Sequence, residues 1–218
     1  MKSFYLLCLL SYMLVFISCN PIEKKAALNA DTSISAAENT GTKINTDWFS
    51  GHEHDADHFA AMYPVSHDNP FLFASYDELL THLKWGTGIV VFGFTACPRC
   101  RNVLPVLEKA FREMNMERYA GLHGKILYYD IYDDREADNE RYKTIVSYVK
   151  DYLKTDDNGD PRIYSPDVFF LSSGRIVGNH QDTVSSLTNP RDSLNNEQEA
   201  ELLAIYKALI EETEDCDC

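Results

Sequence analysis

Cys97 and Cys100 flank Pro98-Arg99, and two thiols at that spacing serve either as a redox couple or as part of a metal knuckle. Their surroundings separate the two uses. The run Ile89 to Phe94, rich in β-branched and aromatic residues, has the pattern of a buried central strand and ends just before Cys97. After it, Val103, Leu104, Leu107, Ala110, Phe111 and Met114 recur as one face of a helix. A thiol where a helix opens meets unpaired backbone N–H groups and the positive end of the helix dipole, and both favour its thiolate. Cys97 is therefore expected to be the exposed, acidified nucleophile, with Arg99 adding positive charge. Cys100, one turn later, is expected to attack the mixed disulfide and release the product. Pro98 sits near the helix start, where its missing N–H costs little.

The elements that must hold this motif follow from the same reading. Ser75-Tyr76-Asp77-Glu78 is a capping box that opens a helix to about Leu83, and Gly86 and Gly88 end it. Ile126 to Ile131 is the next strand. Tyr142, Ile145, Val146, Val149 and Leu153 mark another amphipathic helix. Thr155 to Pro161 is a polar turn; counted as a calcium loop it would begin on Lys154 and end on Ser165, so it lacks the required acidic ligands. Val168 to Leu171, Ser172-Ser173-Gly174 and Arg175-Ile176-Val177 read as a strand, a hairpin turn and a strand. A last helix spans about Asn196 to Glu212, with Leu202, Leu203, Tyr206, Leu209 and Ile210 inward. Helices and strands in this order imply an α/β sandwich, a sheet covered on both faces.

Strand, C-x-x-C, Pro105 five residues after the second Cys, and Ser165-Pro166 before a strand together resemble thioredoxin, over roughly residues 71–210. The resemblance implies a three-layer α/β/α sandwich with a central mixed sheet and a redox-active Cys97–Cys100 disulfide with no further cofactor. It also implies a cis peptide bond at Pro166, with Ser165 presenting its backbone to the substrate chain beside Cys97. Pro98 and Arg99 complete that substrate surface. Asp68-Asn69-Pro70-Phe71, Gly86-Thr87-Gly88, Arg162 to Val168 and Gly174 to Gly178 are also similar to segments of the secreted bacteriocin transport accessory proteins. Two positions depart from thioredoxin. Ala96 stands where its Trp precedes the first Cys, and Val91 stands where its buried Asp helps deprotonate the second.

The start of the chain places this chemistry. Lys2, an apolar run from Phe4 to Ile17 and then Ser18-Cys19 read as a secretory signal over residues 1–18. The run is shorter than the roughly 20 residues of a spanning helix. Phe16-Ile17-Ser18-Cys19 resembles a bacterial lipobox, which makes Cys19 the expected lipidation site and the cell envelope, outside the cytoplasm, the expected location. Residues 19–67 are expected to be the anchor, a flexible tether and an aromatic and His-containing stretch, Trp48 to His67, that packs loosely on the domain. The domain is expected over 68–212, with an acidic tail, 213–218, carrying Cys216 and Cys218. In a compartment where disulfides persist, the expected partners are protein thiols and disulfides, a redox partner protein and, through the lipid, a membrane. With 20 Lys plus Arg against 34 Asp plus Glu, the formal charge of −14 repels phosphates and sets nucleic acid aside.

Two other readings compete. His52, His54 and His58, among Glu53, Asp55 and Asp57, are candidates for a zinc or copper site, but His52 and His54 are not at helical i, i+4 spacing, and a solvated segment explains the stretch better. With the terminal thiols they define a metal-handling lipoprotein as the alternative function. A redox-inactive module assisting peptide export is the other.

Overall fold

The computed structural model describes residues 50–116 and 124–214. The signal segment, Cys19, the tether, Cys216 and Cys218 lie outside the described residues. The fold is mixed α/β: seven strands and six α-helices among the described residues, with five of the strands in one central sheet. In chain order they are α1 (Asp55–Met62), β1 (Phe71–Phe73), α2 (Tyr76–Trp85), β2 (Gly88–Gly93), α3 (Cys100–Glu113), β3 (Ile126–Asp130) and α4 (Tyr132–Glu136). Then come α5 (Glu140–Val149), β4 (Lys154–Thr155), β5 (Pro161–Arg162), β6 (Asp167–Ser172), β7 (Arg175–Gln181) and α6 (Asn196–Glu214).

The sheet runs β1-β3-β2-β6-β7. β1, β3 and β2 are parallel; β6 and β7 are antiparallel to their neighbours. β2 is therefore central, and all six of its residues are buried, as its unbroken apolar run requires. Its pleat splits the core. Ile89 and Val91 face a cluster with Val103, Leu107, Leu202 and Tyr206 from α3 and α6. Val90 and Phe92 face Leu79, Leu83, Ile145 and Val149 from α2 and α5. Helices thus cover both faces in three layers.

Local chemistry fixes the ends. The Ser75 side chain accepts the Glu78 N–H while Glu78 reaches back to the Ser75 N–H at 2.7 Å, the capping box read from the sequence. Asn139 caps α5 by accepting the Tyr142 N–H at 2.9 Å. Ser173 (φ 51°) and Gly174 (φ 76°) make the β6–β7 turn in left-handed conformations, and a Cβ on Gly174 would run into the backbone carbonyl of Lys84.

Three expectations need correction. The folded unit takes in residues well ahead of 68. Phe59 of α1 is fully buried, stacked on Phe71 and Phe73 and edge-on to Tyr128, and Tyr63 follows it into the core. Glu108 of α3 then fastens the chain behind them, accepting the Ser66 N–H at 3.1 Å and bonding Arg112 at 3.2 Å. The expected polar turn narrows to residues 156–160, because Thr155 and Pro161 pair as ends of the short strands β4 and β5. At the other end α6 continues to Glu214, with Thr213 buried.

Candidate active site

β2 ends at Gly93, and the chain turns through Phe94-Thr95-Ala96 to reach Cys97. Gly93 leaves the space that the Tyr128 hydroxyl occupies. That hydroxyl meets the Tyr63 hydroxyl at 2.9 Å, and Tyr63 donates to the Phe94 carbonyl at 3.1 Å. The same carbonyl accepts the Cys97 N–H at 3.0 Å. Two donors therefore hold the turn that delivers Cys97, and one of them comes from the end of α1. Asp130, at the end of β3, holds the turn from the other side by accepting the Thr95 N–H at 3.2 Å.

Cys97 and Cys100 form a disulfide with Cα atoms 5.3 Å apart. The Cys100 N–H donates to Cys97 Sγ at 3.1 Å. The helix itself begins at Cys100, with Arg99 as its N-cap, so Cys97 lies ahead of α3 and not in its first turn. Its sulfur still faces the helix N-terminus, which is the electrostatic environment the spacing predicted. Pro105 sits inside α3, where it has no N–H to return to the Arg101 carbonyl.

The expected exposure of Cys97 is corrected: only 2% of its surface is accessible, and none of Cys100. The cleft beside Cys97 is built with chain far away in sequence. Cys97, Pro98 and Arg99 form one wall of a cleft of about 510 Å³ whose other walls are the β4–β5 hairpin (Lys154, Thr155), Tyr164-Ser165 and Gln181-Asp182. Cys97 contributes its remaining surface to that cleft. The Ser165–Pro166 bond is cis, and Ser165 turns a buried, unpartnered hydroxyl inward at the cleft. The structure thus brings Cys97, Cys100, Pro98, Arg99 and Ser165 to one place, with Pro166 next in the chain.

Arg99 does not act as a free charge beside the cysteines, because its guanidinium pairs with Asp182. The Asp182 N–H in turn donates to the Pro166 carbonyl at 2.8 Å, so one residue ties the C-x-x-C loop to the Ser165–Pro166 turn. Sequence reading missed Asp182; its φ of 77° is invisible in composition. Arg135 reaches the cleft from α4 and lies over the rings of Phe94 and Tyr132.

Val91 is fully buried between Tyr128 and Val168, so β2 supplies no acid beneath the cysteines. The buried acid is Asp167, directly after Pro166. It pairs with Phe92 across the β2–β6 ladder and shares the Phe92 and Phe169 face, away from the cysteines. Burial pushes its carboxyl up to about 7, against the opposing effects of the Asn179 amide and the Lys154 ammonium.

The histidines do not converge. Both ring nitrogens of His52 are engaged, Nδ1 with Asp55 at 2.6 Å and Nε2 with Glu78 at 3.0 Å. Burial lowers its pKa, but the bonds to Glu78 and Asp55 outweigh burial and leave it raised. His54 and His58 are exposed, His58 against the Phe73 ring. Among the described residues no three His, Cys, Asp or Glu side chains form a metal-holding group. Likewise, among them no helix is long and apolar enough to cross a membrane.

No family model matches the chain, and no curated protein matches it.

The geometry of the site makes one smaller prediction. Tyr63→Phe removes a donor to the Phe94 carbonyl and leaves the buried Tyr128 hydroxyl short of a partner, so stability should fall by about 1 kcal/mol. Because the lost bond lies on the turn carrying Cys97, the rate at which the reduced protein is alkylated at Cys97 should change as well. Urea denaturation and timed alkylation with mass detection measure the two effects separately.

Proposed function

We propose that this chain is a thiol–disulfide oxidoreductase of thioredoxin-like type, acting on protein thiols and disulfides outside the cytoplasm. The observation that carries the reading is the Cys97–Cys100 disulfide at a strand-to-helix junction, on the wall of a cleft, with the Cys100 N–H aimed at Cys97 Sγ. A metal knuckle needs further ligands around the sulfurs. A redox couple needs one accessible sulfur, one shielded sulfur and stabilisation of the thiolate formed on opening.

In the reducing direction the Cys97 thiolate attacks a substrate disulfide, joining one substrate sulfur and expelling the other as thiolate. Cys100 then attacks Cys97 Sγ, closes the intramolecular disulfide and expels the substrate's remaining thiolate. Two electrons pass from protein to substrate; the oxidising direction is the same sequence reversed. No bound cofactor enters either direction, and a partner dithiol or disulfide protein restores the starting state. The expected lipid on Cys19 would hold the domain at the membrane of the cell envelope.

Equilibration of the purified protein in graded glutathione buffers, with alkylation and mass detection of Cys97 and Cys100, tests the reading. A two-electron transition at a potential above about −300 mV is expected, and it also sets the direction of electron flow. A potential below that value would mark the bond as structural and sink the proposal.

A further inference from the structure

The cleft beside Cys97 gathers cations although the whole chain has a formal charge of −14. Arg99, Arg135 and Lys154 line it, and Arg162 stands opposite Lys154 in the β4–β5 ladder. Two carboxylates answer them. Asp182 pairs with Arg99, while Glu136 is shared between Arg135 at 3.1 Å and Arg162 at 3.5 Å. Among the residues lining the cleft, Arg99, Arg135 and Lys154 face one carboxylate, Asp182. Although Asp156 acts on Arg162 and the buried Asp167 acts on Lys154, the lining carries a surplus of positive charge. Lys154 is its accessible part: the residue is exposed, and no carboxylate is ion-paired with it among the described residues.

A neighbouring hollow has the opposite sign. Phe94, a wall of the cationic cleft, also lines a second hollow of about 380 Å³ with Thr95, Ala96, Asp130, Tyr132 and Asp133.

We propose that the cationic cleft selects substrate polypeptides whose reactive cysteine is flanked by acidic side chains, with Lys154 as the residue that reads them. This rests on the thiol–disulfide function proposed above. The net negative charge of the protein works against an acidic substrate, so the two effects must be weighed. At 0.15 M ionic strength the field of exposed carboxylates fades within about 8 Å, whereas a side chain in the cleft comes within contact distance of Lys154. Local complementarity governs the docked state, and the distant charges govern only the approach.

The test is single-turnover exchange of the oxidised, full-length protein with dithiol peptides that differ only in Asp, Ser or Lys flanks. A peptide thiolate attacks Cys97 Sγ, the Cys97–Cys100 bond breaks, and Cys100 leaves with the electron pair. The second peptide thiolate then attacks the bridging peptide sulfur and frees Cys97. The peptide departs as a disulfide, and its two protons end on the two protein thiols. Acid quenching and mass detection count the thiols, and each rate is normalised to that of the same peptide with an uncharged small-molecule disulfide, since the flanks alter thiolate content.

The normalised rate with Asp flanks should exceed that with Lys flanks by about tenfold, and the gap should narrow at high salt. Lys154→Glu, a change at an exposed position, should reverse the order. Equal normalised rates for the three peptides overturn the proposal, as does an unchanged order in Lys154→Glu. Failure of every peptide to open the disulfide would instead overturn the oxidoreductase function on which it rests.

Discussion

Substituting Cys97 by serine is expected to reduce disulfide exchange to the uncatalysed background, whereas Cys100→Ser should accumulate as a mixed disulfide with its substrate. The asymmetry follows from burial. Cys97 retains 2% of its surface, and that surface opens on the cleft; Cys100 retains none. A hydroxyl at position 97 has no accessible anionic form near neutral pH, so the nucleophile is lost outright. A hydroxyl at position 100 leaves the first attack intact and removes the group that resolves it. Incubation with a disulfide peptide, acid quenching and intact-mass measurement separate the two outcomes. Wild-type turnover by Cys97→Ser would remove the basis of the proposed function. Stability should change little by comparison. Because the bond closes a ring of only four residues, reducing it should cost at most about 2 kcal/mol, and equilibrium unfolding with and without reductant measures this.

Asp167→Asn should stabilise the protein above neutral pH and leave it nearly unchanged in acid. The carboxyl is fully buried, accepts a hydrogen bond from Asn179 Nδ2 at 2.9 Å and has the Gln181 amide beside it. In the unfolded chain this group ionises near 3.8, and in the folded protein burial pushes it up to about 7. Between those values the unfolded state releases a proton that the folded state keeps. Stability is thus lost as pH rises from the unfolded value through the folded one, and the loss is complete above about pH 7. A shift of this size corresponds to a penalty on the order of 4 kcal/mol. The amide keeps the oxygen that Asn179 bonds and cannot ionise. Urea midpoints at about pH 4 and about pH 8 should therefore differ less for the variant than for the wild type. Parallel pH dependence in the two proteins would show that Asp167 is ionised throughout.

The parts of the fold legible in the sequence were those whose determinants are local. The Ser75/Glu78 capping box, the uninterrupted β2 run and the apolar face of α3 each carry their signal within a dozen residues. The Ser165–Pro166 bond was expected only from resemblance to thioredoxin, and it is cis here. What the sequence concealed depends on distant chain. Cys97 was expected to be exposed from its place at a helix start, whereas it is buried, and the hairpin that lines the cleft with it lies more than fifty residues later. β4 and β5, at two residues each, are too short for any period to register. Asp167 begins a strand, where an acidic residue reads as a turn marker, and only the ladder with β2 and β7 shows that it is enclosed. Helix α1 is the instructive miss. Phe59, Met62 and Tyr63 do recur at helical spacing, but they stand among His, Asp and Glu residues that suggested a solvated stretch.

That helix gives the N-terminal side of the domain a mechanical role. Tension arriving along the chain at residue 50 passes first into α1, then through Tyr63 to the Phe94 carbonyl that also holds the Cys97 amide. The aromatic stack of Phe59, Phe71, Phe73 and Tyr128 lies in parallel with that path and bears part of the load. The turn that carries Cys97 and the chain entering α1 are therefore coupled in series. Cutting the protein at residue 68 would take away a support on which the turn before Cys97 is mounted.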